Sequence, residues 1–481
     1  MAPHRPGLAA FRRLFRRPAA AWIAGGLLAW GAARAASAPG PIPNSEFLDC
    51  HEAEPAPKDK GGPEKFTGVR PAFFAKSVHG KLNCVDCHAG ITESPHPSKV
   101  PPPQCASCHA DEARAYAASI HGMSHALGAS GAARCASCHG SHEMAPVKQI
   151  DSPVSKFNLP QTCGACHDNP GLTAEYRIRF PEVAGQYRDS IHGRALTLMG
   201  LVVAPSCNDC HGVHDIKRSI DRDSRTSHAN VAKTCGTCHV GIEQTYNQSV
   251  HGQLLLKGNG RGPVCSDCHT AHQIEAPSGA NFKAVSDRRC GQCHADRLAH
   301  YNETYHGKAM ALGRPNVASA VAACYDCHGH HDVFPVRDPR SRLSKERILA
   351  TCRQCHPGAG PKFTAYQPHA NPLDKANYPL LNKVFLFMTA LLVGVFAVFG
   401  VHTLFWLVRS VYLFLHDSKA FREAKGEAHA DTEFYTRFTP FERFLHFLMV
   451  TSFLLLVITG MPLKFYYTAW ARAIFSLLGG A

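Results

Sequence analysis

Cysteine pairs that are followed directly by a histidine are the residues of this chain whose spacing could do chemistry. The motif Cys-x-x-Cys-His occurs ten times between residues 84 and 356, and it uses all but one of the 21 cysteines. Two thiols at this spacing can bond both vinyl groups of one haem, while the adjoining imidazole ligates the iron. The predicted attachment residues are Cys84, Cys87, Cys105, Cys108, Cys135, Cys138, Cys163, Cys166, Cys207, Cys210, Cys235, Cys238, Cys265, Cys268, Cys290, Cys293, Cys324, Cys327, Cys352 and Cys355. The predicted proximal iron ligands are His88, His109, His139, His167, His211, His239, His269, His294, His328 and His356.

A zinc knuckle or a redox-active dithiol uses the same pair of cysteines. Neither needs a histidine at the next position. Histidine makes up 31 of the 481 residues, yet it follows all ten pairs. The pattern therefore favours covalent haem over both alternatives, and we predict ten haem c groups.

Further histidines recur at two fixed places in five successive two-haem repeats. Each repeat opens with a His-Gly pair and carries another histidine after its first motif. The predicted distal ligands are His79, His96, His121, His142, His192, His214, His251, His272, His306 and His331, with His125, His228, His300, His330 and His369 left over as substitutes. A lone histidine of this kind is more often a surface or capping residue, but the repetition favours bis-histidine iron.

The pairing of distal histidines with haems stays open in the sequence. A residue three positions after a proximal histidine lies on the proximal side of its own porphyrin. The histidines at that position are His142, His214, His272 and His331. We therefore expect them to reach a neighbouring haem and to pack the haems closely.

An incomplete motif precedes the repeats, in the sequence Phe47-Leu48-Asp49-Cys50-His51. Phenylalanine stands where the first cysteine of a haem motif would be. A single thioether to Cys50 and ligation by His51 could still hold an eleventh haem. The alternative is a relic without cofactor, and the sequence does not decide between the two.

The composition indicates how these motifs are positioned. The middle of the chain is rich in Cys, Gly and Pro and has few long apolar runs, so haem would supply its core and folding would depend on the cofactor. The predicted fold is mainly α with extensive loops, a multihaem cytochrome c repeat domain joined to transmembrane helices. The net charge of +14 omits two propionates per haem, and we expect no nucleic-acid partner.

The order of segments follows from these features. Residues 1–38 have a basic start and a short apolar run, which predicts a signal peptide; an uncleaved anchor is the alternative. Residues 39–76 contain the degenerate haem site, residues 77–356 the five repeats, and residues 357–380 a Pro- and Gly-containing linker.

Two apolar stretches near the end are long enough to span a bilayer. We predict transmembrane helices at 381–415 and 441–464, a cytoplasmic loop at 416–440, and an apolar tail at 465–481. Basic residues after the first span place this loop in the cytoplasm and the repeats on the other side. His402 and His446 lie within the spans and are candidate haem b ligands, with hydrogen-bonded packing as the alternative; His416 is expected at the interface.

Residues 437–464 carry Arg-Phe-Thr-Pro-Phe-Glu-Arg-Phe-Leu-His446 and, later, Thr459-Gly460-Met-Pro-Leu-Lys. They resemble the opening helix of di-haem membrane cytochromes of the cytochrome b561 and formate dehydrogenase gamma-subunit type. The repeats resemble multihaem cytochromes c with doubled motifs. That membrane family has four helices, so the resemblance implies either a fragment or a membrane subunit that completes the bundle and its haem b.

The combination is similar to quinone-linked multihaem cytochromes of the bacterial inner membrane. It implies electron transport in the respiratory chain, between the quinone or quinol pool and a periplasmic or extracellular acceptor. Expected partners are quinone, periplasmic or outer-membrane redox proteins, and the lipid bilayer, with the haem domain in the periplasm. The alternatives are a reductase of a small nitrogen or sulfur compound, and an electron reservoir without a quinone link.

Overall fold

The computed structural model describes residues 42–52, 68–97, 100–313, 320–423 and 438–478. The described chain is mainly helical and loop-rich and contains no β-strand, which confirms the predicted fold class. The predicted signal peptide lies outside the described residues, as do residues 53–67 and 424–437. The chain divides into two compact parts: an N-terminal part, from residues 1–52 and 82–103, and a main body, from residues 53–81 and 104–481.

Short helices dominate both parts. The N-terminal part contains Asn44–His51 and Cys84–Cys87. In the main body Pro71–Phe74 precedes the repeats, and the repeats contain the 3₁₀ turn Cys105–Ser107, Ala110–Ala117, Ile120–Ala126, Cys135–His139, Leu159–His167, Pro170–Glu175, Val183–Asp189, Ile191–Thr197, Cys207–His211, Val231–Gly236, Val240–Gln248, Val250–Leu256, Cys265–His269, Ala280–Gly291, Ala295–Glu303, Tyr305–Leu312, Cys324–His328 and Ile348–Arg353. The 3₁₀ turn Pro361–Ala365 and the helices Pro379–His416, Pro440–Lys464 and Ala469–Leu477 follow.

We number the repeats 1 to 5 and call the helix that carries the His-Gly pair of repeats 2 to 5 the opening helix. Its N-cap is a serine or threonine whose hydroxyl accepts a hydrogen bond from the glycine N–H, as between Ser249 and Gly252 at 3.1 Å. A side chain at this glycine would not fit. A Cβ on Gly252 would lie 2.1 Å from the carbonyl oxygen of Tyr246, which explains why glycine follows the histidine.

A tyrosine three residues before each of these caps ties the opening helix to the first haem motif of the same repeat. Tyr246 is buried, and its hydroxyl donates to the carbonyl of Pro263, two residues before Cys265, at 2.7 Å. The same bond recurs in the other three repeats that have the tyrosine. It joins Tyr116 to Ala133, Tyr187 to Pro205 and Tyr301 to Ala322.

Consecutive repeats are joined by one backbone hydrogen bond at an equivalent place. The N–H of the residue before the His-Gly pair donates a hydrogen bond to a carbonyl in the next repeat. That carbonyl lies two residues after the histidine that follows the first motif of the next repeat. Val250 donates to Val333 at 2.9 Å, and Ile191 donates to Ile274 at 2.8 Å. Val78 donates to Met144 and Ile120 to Ile216 in the same way. Each repeat from 1 to 4 is therefore bonded to its successor.

Two apolar helices follow the repeats. Pro379–His416 has a mean hydropathy of 2.6 in its best 18-residue window and Pro440–Lys464 has 2.1, and none of either window is buried. Both are long and apolar enough to cross a membrane. Their bounds lie within two residues of the predicted spans, and the end of the chain, predicted as an apolar tail, forms the helix Ala469–Leu477.

Candidate functional site

Each Cys-x-x-Cys-His motif, which we call a cassette, lies on or at the end of a short helix. The first cassettes of repeats 2 to 5 are five-residue helices that run from cysteine to histidine. In four of the five repeats the residue before the second cysteine is aspartate, and its carboxylate accepts the backbone N–H at the helix N-cap. The Asp267 carboxylate accepts from Val264 at 2.7 Å. This cap fixes the turn that holds both thiols and the imidazole on one helix.

The second cassettes of repeats 2, 3 and 5 follow turns that are rich in buried serine. In repeat 3, Ser224 and Ser227 are buried, and the Asn230 side chain donates to the carbonyls of Arg222 and Ser224. Thr234, directly before Cys235, donates its hydroxyl to a carbonyl in the same turn at 2.7 Å. These polar contacts hold the start of the cassette helix where an apolar core is absent.

In all five repeats, the histidine of the second cassette faces the histidine of the His-Gly pair in the same repeat. The ring centroids lie 6.0 Å apart for His79 and His109, 6.2 Å for His121 and His167, 6.2 Å for His192 and His239, 6.4 Å for His251 and His294, and 6.0 Å for His306 and His356. The structure thus brings together five predicted proximal and five predicted distal histidines.

The first cassettes of repeats 2 to 5 follow a different rule, because their partners come from further along the chain. The centroids lie 6.1 Å apart for His139 and His214, 6.1 Å for His211 and His272, 6.0 Å for His269 and His331, and 6.1 Å for His328 and His369. His214, His272 and His331 each stand beside a histidine of the preceding repeat. Ligation of a neighbouring haem by these three histidines stays a prediction, and this placement would allow it.

The spacing of these nine pairs fits one iron between two imidazoles. Two nitrogens bound on opposite sides of one metal at about 2 Å each place the ring centroids about 6 Å apart. Direct ring packing spans a wider range of about 4.5–7 Å. The observed distances of 6.0–6.4 Å over nine pairs span a narrower range and lie close to the value expected for a shared iron.

The sparse apolar core also fits a bound porphyrin. Leu196 is the largest fully buried side chain in the described residues; Pro462 follows, and the others are serines. Repeats that bury so little apolar surface need another source of stability. Haem at the cassettes would supply it.

Burial favours the neutral form, which is the form that binds a metal, at twelve of the eighteen paired imidazoles. Burial, followed by the neighbouring His272, lowers the pKa of His211 to about 4. Burial likewise lowers the pKa of eleven further paired histidines. They are His121, His139, His167, His192, His251, His269, His272, His306, His328, His331 and His369.

Successive cassettes lie against each other. Where the second cassette of one repeat meets the first cassette of the next, one leading cysteine lies close enough to the other to shift its pKa. These thiol pairs are Cys105 and Cys135, Cys163 and Cys207, Cys235 and Cys265, and Cys290 and Cys324. Within a repeat, cysteines of the two cassettes are also close enough to shift each other's pKa, as Cys235 does for Cys210. The attachment sites therefore form an unbroken series from Cys105 to Cys355.

Not every predicted ligand takes part in these nine pairs. His88 and His96 lie in the N-terminal part and His142 lies in the main body. The ligation of His88 and His142 stays a prediction from the sequence. Of the histidines left over, His330 packs on Tyr325 with centroids 4.8 Å apart, and His228 lies 4.0 Å from the Asp267 carboxylate.

The membrane histidines are placed differently from those of the repeats. His402 and His446 are both exposed on their helices. In the described part of the chain neither ring is paired with another histidine, whereas His416 packs on Tyr412. Their role as haem b ligands stays a prediction.

One set of residues, His369 with Phe363, lies in a predicted linker, where His369 was predicted only as a substitute ligand, and another set escaped the sequence prediction. His369 lies in a stretch predicted as a linker, yet it faces His328, and Phe363 in the same stretch packs on His356 with centroids 5.0 Å apart. The four tyrosines that bond to the cassettes are the other set. Their signal was visible as Tyr-x-x-Ser/Thr before the histidine, but without a fold it indicates no partner.

The comparison with known families concerns the first two repeats. Residues 77–168 match the family model of cytochrome c3. The match spans four cassettes, from Cys84 to His167, and implies c-type haem and multihaem electron transfer for this cytochrome c3-like region. Repeats 3 to 5 show the same cassettes and histidine pairs as repeat 2. No solved structure matches the chain.

Proposed function

We propose that this protein is a membrane-anchored electron carrier that passes electrons along a row of bis-histidine c-type haems. The observation that carries the proposal is the set of nine histidine pairs with centroids 6.0–6.4 Å apart, each next to a cassette. The ten cassettes would attach haem c, which supplies one-electron redox chemistry at its iron. The chain's own residues would hold the ligands and, at twelve of them, favour the neutral form by burial.

The row of adjacent cassettes supports conduction rather than isolated redox centres. From Cys105 onward, cysteines of neighbouring cassettes lie close enough to shift the pKa of one another's thiols in successive pairs, so porphyrins attached there would lie close together. Two histidines per iron leave no position for a substrate in the nine paired sites. This favours a carrier over a reductase of a small nitrogen or sulfur compound.

The proposed membrane link joins the row at repeat 5. Lys464, at the end of the second apolar helix, has its ammonium 3.8 Å from the Glu303 carboxylate. Glu303 also lies 3.7 Å from the Lys308 ammonium, and it precedes His306 by three residues. An exposed ion pair adds little stability, so its value here is positional. It supports electron exchange with the membrane through the haem of the last cassette.

The electron donor or acceptor in the membrane is proposed to be quinol or quinone. His446, and with it His402, would hold haem b in a bundle that a membrane subunit completes, as the resemblance to cytochrome b561-type proteins implies. The opposite end of the row would serve a periplasmic or outer-membrane redox protein. In this proposal the haem repeats lie in the periplasm and the apolar helices lie in the inner membrane.

The experiment uses the full chain, produced with haem maturation, in vesicles of the host membrane. A pyridine haemochrome assay should count at least ten haem c groups per chain, and a menaquinol analogue should reduce them. His446→Phe should abolish reduction by quinol and leave reduction by dithionite intact, whereas His416→Phe should change neither. Haem without reduction by quinol would contradict the membrane link alone. Absence of covalent haem would contradict the carrier itself.

A resting sample also tests the reductase. Electron paramagnetic resonance should show low-spin ferric haem at the paired sites. A stoichiometric high-spin, five-coordinate haem would favour the reductase instead.

A further inference from the structure

The N-terminal part contains one more pair of neighbouring histidine rings, at a separation slightly smaller than in the nine pairs of the main body. The rings of His51 and His96 are stacked, with centroids 5.7 Å apart and planes 13° apart. We propose that this part binds an eleventh haem, attached through one thioether to Cys50 and ligated by His51 and His96. The proposal rests on the proposed function only in assuming that the chain is matured with haem c.

The helix that carries the site has the layout of a cassette. Asn44–His51 ends at its histidine, as the helix Leu159–His167 does at the second cassette of repeat 2. Cys50 and His51 occupy the last two positions, and Phe47 stands where the leading cysteine would be. Phe47 is only 6% exposed, and its ring centroid lies 6.3 Å from that of His96. An aromatic ring therefore replaces the second tether and packs beside the distal ligand.

A hydrogen bond outside the motif shows the same correspondence. Asn44, three residues before Phe47, accepts the N–H of Cys84 through its side-chain oxygen at 2.7 Å. Asp287, three residues before the leading cysteine Cys290, accepts the N–H of Cys324 at 2.8 Å. Both contacts join a cassette to the first cassette of the following repeat. Phe47 thus has the position of a leading cysteine in space as well as in sequence.

The helix layout and the Asn44 contact match a second cassette, whereas the distal histidine comes from further along the chain, as it does at the first cassettes of repeats 2 to 4. His214, His272 and His331 each follow the first cassette of a repeat, and each pairs with a histidine from before that repeat. His96 follows the first cassette of repeat 1. The histidine motif that precedes repeat 1 is the one at His51. The pair His51 and His96 therefore extends the rule by one step toward the N terminus.

The attachment reaction balances without a further reagent. The Cys50 thiol adds across one vinyl group of the haem. A sulfur–carbon bond forms at the vinyl carbon next to the ring, and the thiol hydrogen ends on the outer carbon. The thiol and the vinyl group together neither gain nor lose electrons in this addition. The second vinyl group stays intact because Phe47 offers no thiol.

The test is a peptide map of the full-length holoprotein by mass spectrometry. We expect the peptide that contains Cys50 to carry one haem, as the ten cassette peptides do. Cys50→Ser should remove that covalent haem alone, and acid acetone should then extract one haem per chain. Unmodified Cys50 in a protein whose ten cassettes all carry haem would overturn this proposal and leave the carrier function standing. Loss of haem from the cassettes as well would instead contradict the proposed function.

Two further variants separate ligation from attachment. Phe47→Cys should complete the motif, so that the second vinyl group reacts and the reduced α band of one haem moves to shorter wavelength. His96→Met should replace one bis-histidine signal by a histidine–methionine signal without loss of the covalent haem, whereas His125→Met, the control, should not change the spectrum. An unchanged spectrum for both Phe47→Cys and His96→Met would overturn the assignment.

Discussion

The first and second cassettes of a repeat have the same five-residue motif and are completed in different ways. In repeat 3, His239 of the second cassette faces His192 of the same repeat. His211 of the first cassette faces His272, which belongs to repeat 4. The histidine of the second cassette therefore finds its partner within the same repeat. In repeats 2 to 4, the histidine of the first cassette finds its partner in the repeat that follows. The array behaves as a chain of linked neighbours and not as a string of independent domains.

Removing one cassette or the other gives the largest effect. Cys207→Ser with Cys210→Ser should reduce holoprotein at least about tenfold, because several kcal/mol of cofactor binding is also folding energy and the loss reaches into repeat 4 through His272. Cys235→Ser with Cys238→Ser should reduce it less, since its partner His192 lies in the same repeat. Haem staining of membranes measures both. Equal losses would break the distinction between the cassettes.

Removing a distal ligand locates the partner of each histidine. His214→Ala should create one five-coordinate haem that binds carbon monoxide when reduced, and this haem should be the one at Cys135 in repeat 2. Adding Cys135→Ser leaves one vinyl group unreacted and should shift the carbon monoxide difference spectrum to longer wavelength.

Cys207→Ser serves as the control for this variant, since it marks the haem of the repeat that contains His214. It should leave the carbon monoxide spectrum of His214→Ala unshifted. For His192→Ala the shift should instead appear with Cys235→Ser, within one repeat. If Cys207→Ser shifted the spectrum of His214→Ala, His214 would be a ligand of the haem in its own repeat, and the first cassettes would not differ from the second.

The opening helix can be disturbed by one methyl group. Gly252→Ala would place a Cβ 2.1 Å from the Tyr246 carbonyl oxygen, so we expect a loss of about 2–3 kcal/mol in the free energy of unfolding. Gly241→Ala, in the helix just before, has open space around the new methyl group and should stabilise by about 0.5–1 kcal/mol. Guanidinium unfolding followed by haem absorbance measures both. Similar changes in the two variants would contradict the close packing.

The smallest effect concerns the tyrosine hydrogen bond that joins the opening helix to the first cassette of the same repeat. Tyr246→Phe removes the hydroxyl that donates to Pro263 and should cost about 1 kcal/mol. Tyr305→Phe, at a tyrosine that is 79% exposed, should change stability by less than about 0.5 kcal/mol. Unfolding midpoints compare them. A cost at Tyr305 equal to that at Tyr246 would argue against the link between opening helix and first cassette.

The sequence predicted the parts of this site that depend on local spacing. The cassettes, the fivefold repeat and the helical character follow from residue types a few positions apart. The expectation that His214, His272 and His331 reach a neighbouring haem also came from spacing, because three residues cannot cross a porphyrin. The partner of each histidine could not be derived, since it depends on how one repeat is bonded to the next.

His369 illustrates what local spacing cannot show. It lies among Pro, Gly and Asn, a composition typical of a linker, and no motif marks it. His369 faces His328 in the position that a histidine of the next repeat has in repeats 2 to 4, because no further repeat follows repeat 5. The tyrosines that hold the cassettes were missed for a similar reason, since their bonds join residues 17 to 21 positions apart.

The bond from each repeat to its successor has a consequence for maturation. Ribosomes deliver the N terminus first, so the first cassette of repeat 3 emerges before His272 exists to face it. During that interval its iron would have one imidazole and an open side, accessible to carbon monoxide or free imidazole. The histidine that faces the first cassette of repeats 2 to 4 would arrive with the next repeat. For repeat 5 it would be His369, which precedes the first apolar helix.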